Sequence, residues 1–120
     1  MELVFYSLDN DNNNKVFFRA EYKIIDNQII FQDKATENTM IYLTINEDSL
    51  IFERKGNTSM TMTLMENIET FGHYESSAGL FFDFSIITKK LMVLDKRIEI
   101  EYTLSILGDV IGTHKIWITK

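Results

Sequence analysis

Six side chains of this sequence have the types needed to hold a small, weakly acidic amphiphile in a cavity. An arginine guanidinium binds a carboxylate through two parallel hydrogen bonds. Tyrosine and histidine side chains add polar contacts at the end of an apolar body, and methionine forms an adaptable apolar wall. The predicted ligand-binding residues are Tyr22, Arg54, Met60, Met62, Tyr102 and His114.

Each of these residues also has a structural interpretation. Arg54 ends a predicted strand, and its guanidinium can extend out of a barrel mouth. Tyr22 and Tyr102 suit a core with their hydroxyls at the rim, and Met60 and Met62 suit plain core filling. The sequence alone favours these structural roles.

A catalytic nucleophile needs a neighbouring base, and His73 and His114 are the two histidines of the chain. No Gly-x-Ser-x-Gly motif is present, although a triad can assemble from distant segments. Carboxylates such as Glu99 and Glu101 share one face of a predicted strand, where we expect them to be solvated and not to act as acid or base. The sequence predicts no catalytic residue and no enzyme.

Metal and cofactor motifs are incomplete. Asp9-x-Asp11-x-Asn13 resembles the start of a calcium loop, but Asn14 replaces the required glycine and Ala20 stands where the bidentate glutamate is needed. A solvated hairpin loop is the preferred interpretation. The chain has no cysteine, no closely spaced histidines and no glycine-rich phosphate loop. We therefore expect neither a metal nor a cofactor.

The elements that position the candidate residues are β-strands. In Arg97–Leu107 apolar residues occupy one parity and polar residues the other, and alternate side chains of a strand point to opposite faces. Turn signals recur about every 8–12 residues, as in sandwiches and barrels. The predicted segments are Leu3–Leu8, Lys15–Ile25, Gln28–Gln32, Thr39–Asn46, Leu50–Lys55, Thr58–Leu64, Ile68–Glu75, Leu80–Thr88, Leu91–Leu94, Arg97–Leu107 and Val110–Thr119.

Short connections between consecutive strands predict an all-β fold, an up-and-down antiparallel β-barrel of about 8–10 strands without a long helix. Closure would remove the two edges of an open sheet, whose unpaired backbone groups can pair with another chain. Gly72 and Gly112 interrupt strand patterns and predict bulges or sharp bends. Lys89-Lys90 and Asp95-Lys96 are predicted to connect strands.

Composition narrows the function classes. The 120 residues fit a single domain, 1–120, and 45% hydrophobic residues predict a packed core. A net charge of −6 disfavours binding to nucleic acid. No apolar run is long enough to span a membrane as a helix, and the first residues lack the pattern of a signal peptide. We therefore expect a cytoplasmic protein that is a monomer or a homodimer.

Several short motifs occur in an informative order: Arg54-x-Gly56, Met60-x-Met62, Tyr74 followed by Gly79, Thr88-Lys89-Lys90-Leu91, Tyr102-x-Leu104, and the tail Ile111–Ile116. With these motifs the chain resembles the YwiB-like family of small bacterial proteins of unassigned function. It departs at Ser77-Ala78, where family members often carry a proline before an aromatic residue, which affects that loop. The resemblance implies a cytosolic bacterial protein with a calycin-type, lipocalin-like barrel, and it implies no activity.

Calycin relatives hold apolar ligands in the barrel, but that analogy rests on fold alone. The lipocalin Gly-x-Trp opening is absent, and the single tryptophan, Trp117, lies in the last predicted strand. The leading hypothesis is a non-enzymatic binding module for an apolar or weakly acidic amphiphile. One alternative is a structural or protein-interaction domain with a filled barrel, dimerising through Thr39–Asn46. A second is a hydrolase-like enzyme that uses His73 or His114.

Overall fold

Ten β-strands make up the regular structure in a computed structural model that describes residues 1–10 and 13–120. The strands are β1 (Glu2–Asp9), β2 (Asn14–Ile25), β3 (Gln28–Gln32), β4 (Met40–Ile45), β5 (Leu50–Lys55), β6 (Thr58–Leu64), β7 (Glu69–Ser76), β8 (Phe81–Val93), β9 (Arg97–Ile106) and β10 (Asp109–Thr119). Within the described part of the chain, no helix is long and apolar enough to cross a membrane.

The strands form a closed barrel in which each strand is antiparallel to its neighbours in sequence. Closure comes from β1, which pairs with both β2 and β10. Phe5 of β1 lies opposite Phe18 on one side and Ile118 on the other. The predicted up-and-down antiparallel barrel is therefore confirmed.

One predicted turn is wrong. The segments Leu80–Thr88 and Leu91–Leu94 belong to a single strand, β8, which continues through Lys89 and Lys90. Its pairing with β9 shifts register between Thr88 and Lys90. A bulge of this kind adds a residue and bends the strand without ending it. Adjacent lysines, which resemble a turn in sequence, therefore lie within the sheet.

The two interrupting glycines have different roles. The register between β9 and β10 shifts between Val110 and Gly112, which confirms the predicted bulge there. Gly72 instead pairs in regular register with Met62 and Phe84, so a bulge at Gly72 is wrong. A Cβ atom at Gly72 would collide with the ring of Phe84. Glycine is needed at this position because the aromatic ring lies against its backbone.

The depth of the barrel is filled by inward side chains. Phe5, Phe31, Phe52 and Met62 are almost completely buried. The ring of Phe5 stacks on that of Phe18 with centroids 4.8 Å apart, and Phe31 lies tilted against both. These aromatic contacts add to the burial of apolar surface that stabilises the fold.

Strand direction fixes which residues share an end of the barrel. Because the strands alternate in direction, the odd-numbered strands all end at the same rim, which we call the mouth. Arg54 lies one residue before the end of β5 and Asp9 ends β1, so both lie at the mouth. Tyr22 lies near the end of an even-numbered strand, β2, and therefore near the opposite rim.

Candidate functional site

Three of the six predicted site residues line one cavity of about 160 Å³ at the mouth. Arg54 comes from β5, Tyr102 from β9 and His114 from β10, and we call this space the Arg54 cavity. Its other lining residues are Ser7, Leu8, Asp9, Asn14, Val16, Lys115 and Ile116. Strand alternation directs Arg54 inward together with Phe52 and Leu50, as the sequence pattern predicts.

Tyr102 and His114 form a stacked pair on neighbouring strands. They are directly opposite each other in the β9–β10 register, with ring centroids 5.2 Å apart and planes at 23°. Burial raises the pKa of Tyr102 to about 12, and the nearby charge of Arg54 acts in the opposite direction. The Tyr102 hydroxyl therefore stays protonated near neutral pH and can donate a hydrogen bond.

The Nε2 atom of His114 is buried and has no hydrogen-bond partner among the described residues. Buried polar atoms in proteins nearly always have a partner, so an unpaired one needs an explanation. Because His114 lines the Arg54 cavity, a polar group held in that cavity is a suitable partner. The imidazole can donate or accept according to its tautomer.

Arg54 is held in place by a carboxylate that the sequence pattern does not identify. Its Nε atom donates to Oδ2 of Asp33 at 3.2 Å, and Asp33 is only 2% exposed. The other oxygen of Asp33 accepts a hydrogen bond from the backbone N–H of Ala35 at 3.0 Å. The guanidinium also lies 5.2 Å from the ring centroid of Phe52. About one-third of the Arg54 side chain remains exposed, at 32%.

A second cavity, of about 200 Å³, has an apolar lining. Its lining residues are Met60, Tyr74, Phe82, Phe84, Leu104, Ile106 and Ile111, and we call it the apolar cavity. Met60 lies directly opposite Arg54 in the β5–β6 register. Leu104 is the next inward residue after Tyr102 on β9. The two cavities are therefore adjacent: Arg54 and Tyr102 line the first, and their neighbours Met60 and Leu104 line the second.

The remaining predicted residues lie elsewhere in the barrel. Met62 is fully buried and belongs to the core. The hydroxyl of Tyr22 lies 3.7 Å from Sδ of Met1, and the ammonium group of Lys120 lies 5.9 Å from its ring centroid. Tyr22 lines neither cavity. The structure thus joins Arg54, Tyr102 and His114, and places Met60 beside them.

Sequence reasoning missed other contributors to this region. Asp33 lies between two predicted strands, and only its pairing with Arg54 shows its role. Tyr74 and Phe82 line the apolar cavity, and their rings stack with centroids 4.9 Å apart. Their positions on the inward parity of β7 and β8 were the available signal.

His73 lies outside the lumen, on the outer face of β7. Its Nδ1 lies 2.7 Å from Oδ1 of Asp83 and its Nε2 lies 3.8 Å from Oε2 of Glu75. The hydrogen bond with Asp83 is the main reason why the pKa of His73 is raised above its ordinary value of 6.5. Thr61 lines the same surface groove of about 310 Å³.

This arrangement supplies a histidine next to a carboxylate, as the hydrolase alternative requires. Among the described residues, the hydroxyl-bearing residue of the groove, Thr61, is not hydrogen-bonded to that histidine. Both His73 and Asp83 are largely exposed, so water competes for the groups that would have to transfer a proton.

The other candidate groups have structural partners or cannot be assessed. Glu99 accepts a hydrogen bond from Trp117 Nε1 at 3.1 Å and pairs with Arg97, while Glu101 pairs with Lys115. They are therefore part of an outer-face charge ladder. The described residues contain no group of three or more side chains placed to hold a metal ion. The calcium-like pattern includes Asp11, which lies outside the described residues.

Comparison with known proteins gives a family and a fold. Residues 7–118 match the family described as "Domain of unknown function (DUF1934)". The crystal structure of the ywiB protein from Bacillus subtilis is similar, with a TM-score of 0.68 and 16% sequence identity, covering 98% of this chain and 87% of that chain. No curated protein matches the sequence. The chain therefore belongs to the DUF1934 family, and its barrel is similar in fold to the ywiB protein.

Proposed function

We propose that this small β-barrel domain is a non-enzymatic binding module for an apolar or weakly acidic amphiphile. The polar head of the ligand occupies the Arg54 cavity, and its tail occupies the apolar cavity. The observation that carries the proposal is the pairing of Arg54 with Met60 across β5 and β6. It puts a cation next to an apolar wall at the open end of a barrel whose depth is filled.

The polar groups of the Arg54 cavity suit a head group that both donates and accepts hydrogen bonds. Asp33 engages only Nε of Arg54, which leaves the terminal guanidinium nitrogens for a ligand oxygen. The Tyr102 hydroxyl and the buried Nε2 of His114 add two further polar contacts. Asp9 lines the same cavity, and its negative charge weakens attraction for a permanent anion. A weak acid, which can carry a proton, fits this balance.

The volume of the two cavities limits the part of the ligand that can be enclosed. Small-molecule pockets are usually about 300–1,000 Å³. The Arg54 cavity of about 160 Å³ and the apolar cavity of about 200 Å³ are each smaller than that. A ligand that uses both cavities has room for a compact head and a short apolar segment. Proteins of the calycin type hold apolar ligands in the barrel, which supports this class of function by analogy of fold.

A protein-interaction domain is the second candidate, and the filled depth of the barrel favours it. The proposed dimer segment Thr39–Asn46 contains β4, which is paired on both sides by β3 and β5. A dimer through β4 would therefore have to use its outer face. Phe71 and Phe81 are strongly exposed on the outer faces of β7 and β8, which gives a partner protein a more apolar surface than β4.

Titration calorimetry with decanoate, on protein purified without detergent, tests the proposal. The Arg54→Gln variant is expected to bind decanoate at least about tenfold more weakly, since a hydrogen bond to a charged group contributes about 1.5–3 kcal/mol. Arg54→Lys keeps the charge and is expected to bind with intermediate affinity. Arg19→Gln is the matched control, because Arg19 is exposed and points outward. Wild-type protein that binds no decanoate, or equal affinity in Arg54→Gln, would reject the proposal.

The folding of each variant has to be checked in the same samples, because Arg54→Gln leaves Asp33 without its cation. Trp117 serves this purpose. It lies on the outer face, where its ring is 5.1 Å from that of Tyr6 and its Nε1 donates to Glu99. Trp117 fluorescence therefore reports folding and not occupancy of the cavities.

A further inference from the structure

We propose that the bound amphiphile lies across the mouth and that its tail leaves the apolar cavity over the β9–β10 hairpin. In this orientation the tail does not run down the barrel axis. The inference rests on the proposed function and adds the direction in which the ligand lies. It also names the ligand class: an unbranched single-chain amphiphile whose length is not limited by the barrel.

The route down the lumen is blocked directly below the two cavities. Phe52, the next inward residue below Arg54 on β5, is fully buried. Met62 occupies the same position below Met60 on β6 and is also fully buried. Phe84 fills the neighbouring space, with its ring held against Gly72. Opening this route would require several packed side chains to move, which close-packed cores resist.

An apolar route leads in the other direction, from the cavity to solvent. Ile111 lines the apolar cavity and is 53% exposed. Leu107, in the turn of the same hairpin, is also strongly exposed. These two residues, which we call the hairpin tip, extend the apolar lining past the rim of the barrel. A tail lying on them would remove apolar surface from water.

The conformation of Leu107 supports a role for the hairpin tip. Leu107 has φ +51° and Gly108 has φ +84°, the pattern of a two-residue hairpin turn that favours asparagine, aspartate or glycine at both positions. Leucine is uncommon in the left-handed region. Here it is 99% exposed, so packing within the protein does not account for an apolar residue at this position.

Electron paramagnetic resonance with stearate that carries a nitroxide near its terminal methyl group tests the orientation. Titration calorimetry with the same spin-labelled stearate shows whether the probe is bound. We expect ascorbate to reduce the bound nitroxide at a rate within about threefold of the rate for free probe, since the tail end stays at the surface. Bound probe that is strongly protected from ascorbate would overturn the orientation and leave the proposed function standing. A probe that does not bind would overturn both.

Two variants at the hairpin tip give an independent test by titration calorimetry. Leu107→Asn replaces leucine with a polar residue that favours the turn, and Ile111→Ser shortens the apolar route. Both are expected to weaken stearate binding about threefold or more. Leu107→Asn lies outside both cavities and should change hexanoate binding little, whereas Ile111→Ser alters the cavity lining and can weaken both. Ile24→Ser is the matched control, because Ile24 is 52% exposed but lies near the opposite rim. For Leu107→Asn, equal losses for stearate and hexanoate, or no loss for stearate, would contradict the tail-out orientation.

Discussion

The imidazole of His114 stacks on the phenol ring of Tyr102 across two hydrogen-bonded strands, with ring centroids 5.2 Å apart. The contact joins the packed core to the mouth. Tyr102 is buried among core residues, whereas His114 keeps one buried nitrogen without a protein partner. The same pair thus stabilises the barrel and presents polar groups to the Arg54 cavity.

Removing the Tyr102 ring should destabilise the barrel. We expect Tyr102→Ala to lower the free energy of unfolding by about 3–5 kcal/mol, as truncation of a buried aromatic residue does. Tyr102→Phe, the control, keeps the ring and its stacking on His114 and should cost much less. Urea unfolding followed by Trp117 fluorescence measures both changes. An unchanged midpoint for Tyr102→Ala would show that the ring contributes little to the core.

Alkaline pH should weaken the fold through Tyr102. Burial raises its pKa from 10.0 to about 12, so the folded state retains a proton that the unfolded state loses. The stability that this group contributes is therefore fully present below pH 10 and is lost as pH rises towards 12. Unfolding free energies measured across this range should fall more steeply for wild type than for Tyr102→Phe. Parallel pH profiles would contradict the burial of the phenol.

Gly72 should tolerate no side chain while Phe84 is present. We expect Gly72→Ala to cost about 1–3 kcal/mol, because the added methyl group overpacks the space held by the Phe84 ring. Phe84→Leu replaces that ring with a smaller aliphatic side chain and should recover some of the loss in the double variant. Thermal unfolding of the four proteins gives the coupling between the two positions. Strictly additive effects would mean that the two groups do not meet.

The pKa of His73 should depend on Asp83. The hydrogen bond with Asp83 raises the pKa of His73, and Asp83→Asn should move that pKa back towards 6.5. Because the folded pKa is raised, the pair stabilises the fold below the ordinary histidine pKa, and this contribution is lost as pH rises through the raised value. NMR of the His73 imidazole protons across neutral pH follows this titration. A His73 pKa that does not change in Asp83→Asn would contradict the hydrogen bond between His73 and Asp83.

Much of the fold could be predicted because strand alternation is a local property of the sequence. The pattern in Arg97–Leu107 follows from which side chains face the core, and the structure shows β9 there. The bulge beside Lys89 was missed because adjacent charges resemble a turn.

The candidate site was predicted only in part, because parity gives the face of a strand and not its height along the barrel. Tyr22 and Tyr102 both point inward, yet they lie towards opposite rims. The contact between Asp33 and Arg54 joins residues 21 positions apart, and strand parity carries no information about a partner in a loop. The hairpin tip was missed for a similar reason, since Leu107 looks like the end of an apolar strand.

Chemical-shift mapping during a decanoate titration tests the central claim, that an amphiphile binds across the mouth, most directly. We predict shifts that saturate and that cluster at Arg54, His114 and Met60, while the indole N–H of Trp117 on the outer face stays unmoved. Shifts confined to the outer groove around His73, or no shifts at saturating decanoate, would contradict the account.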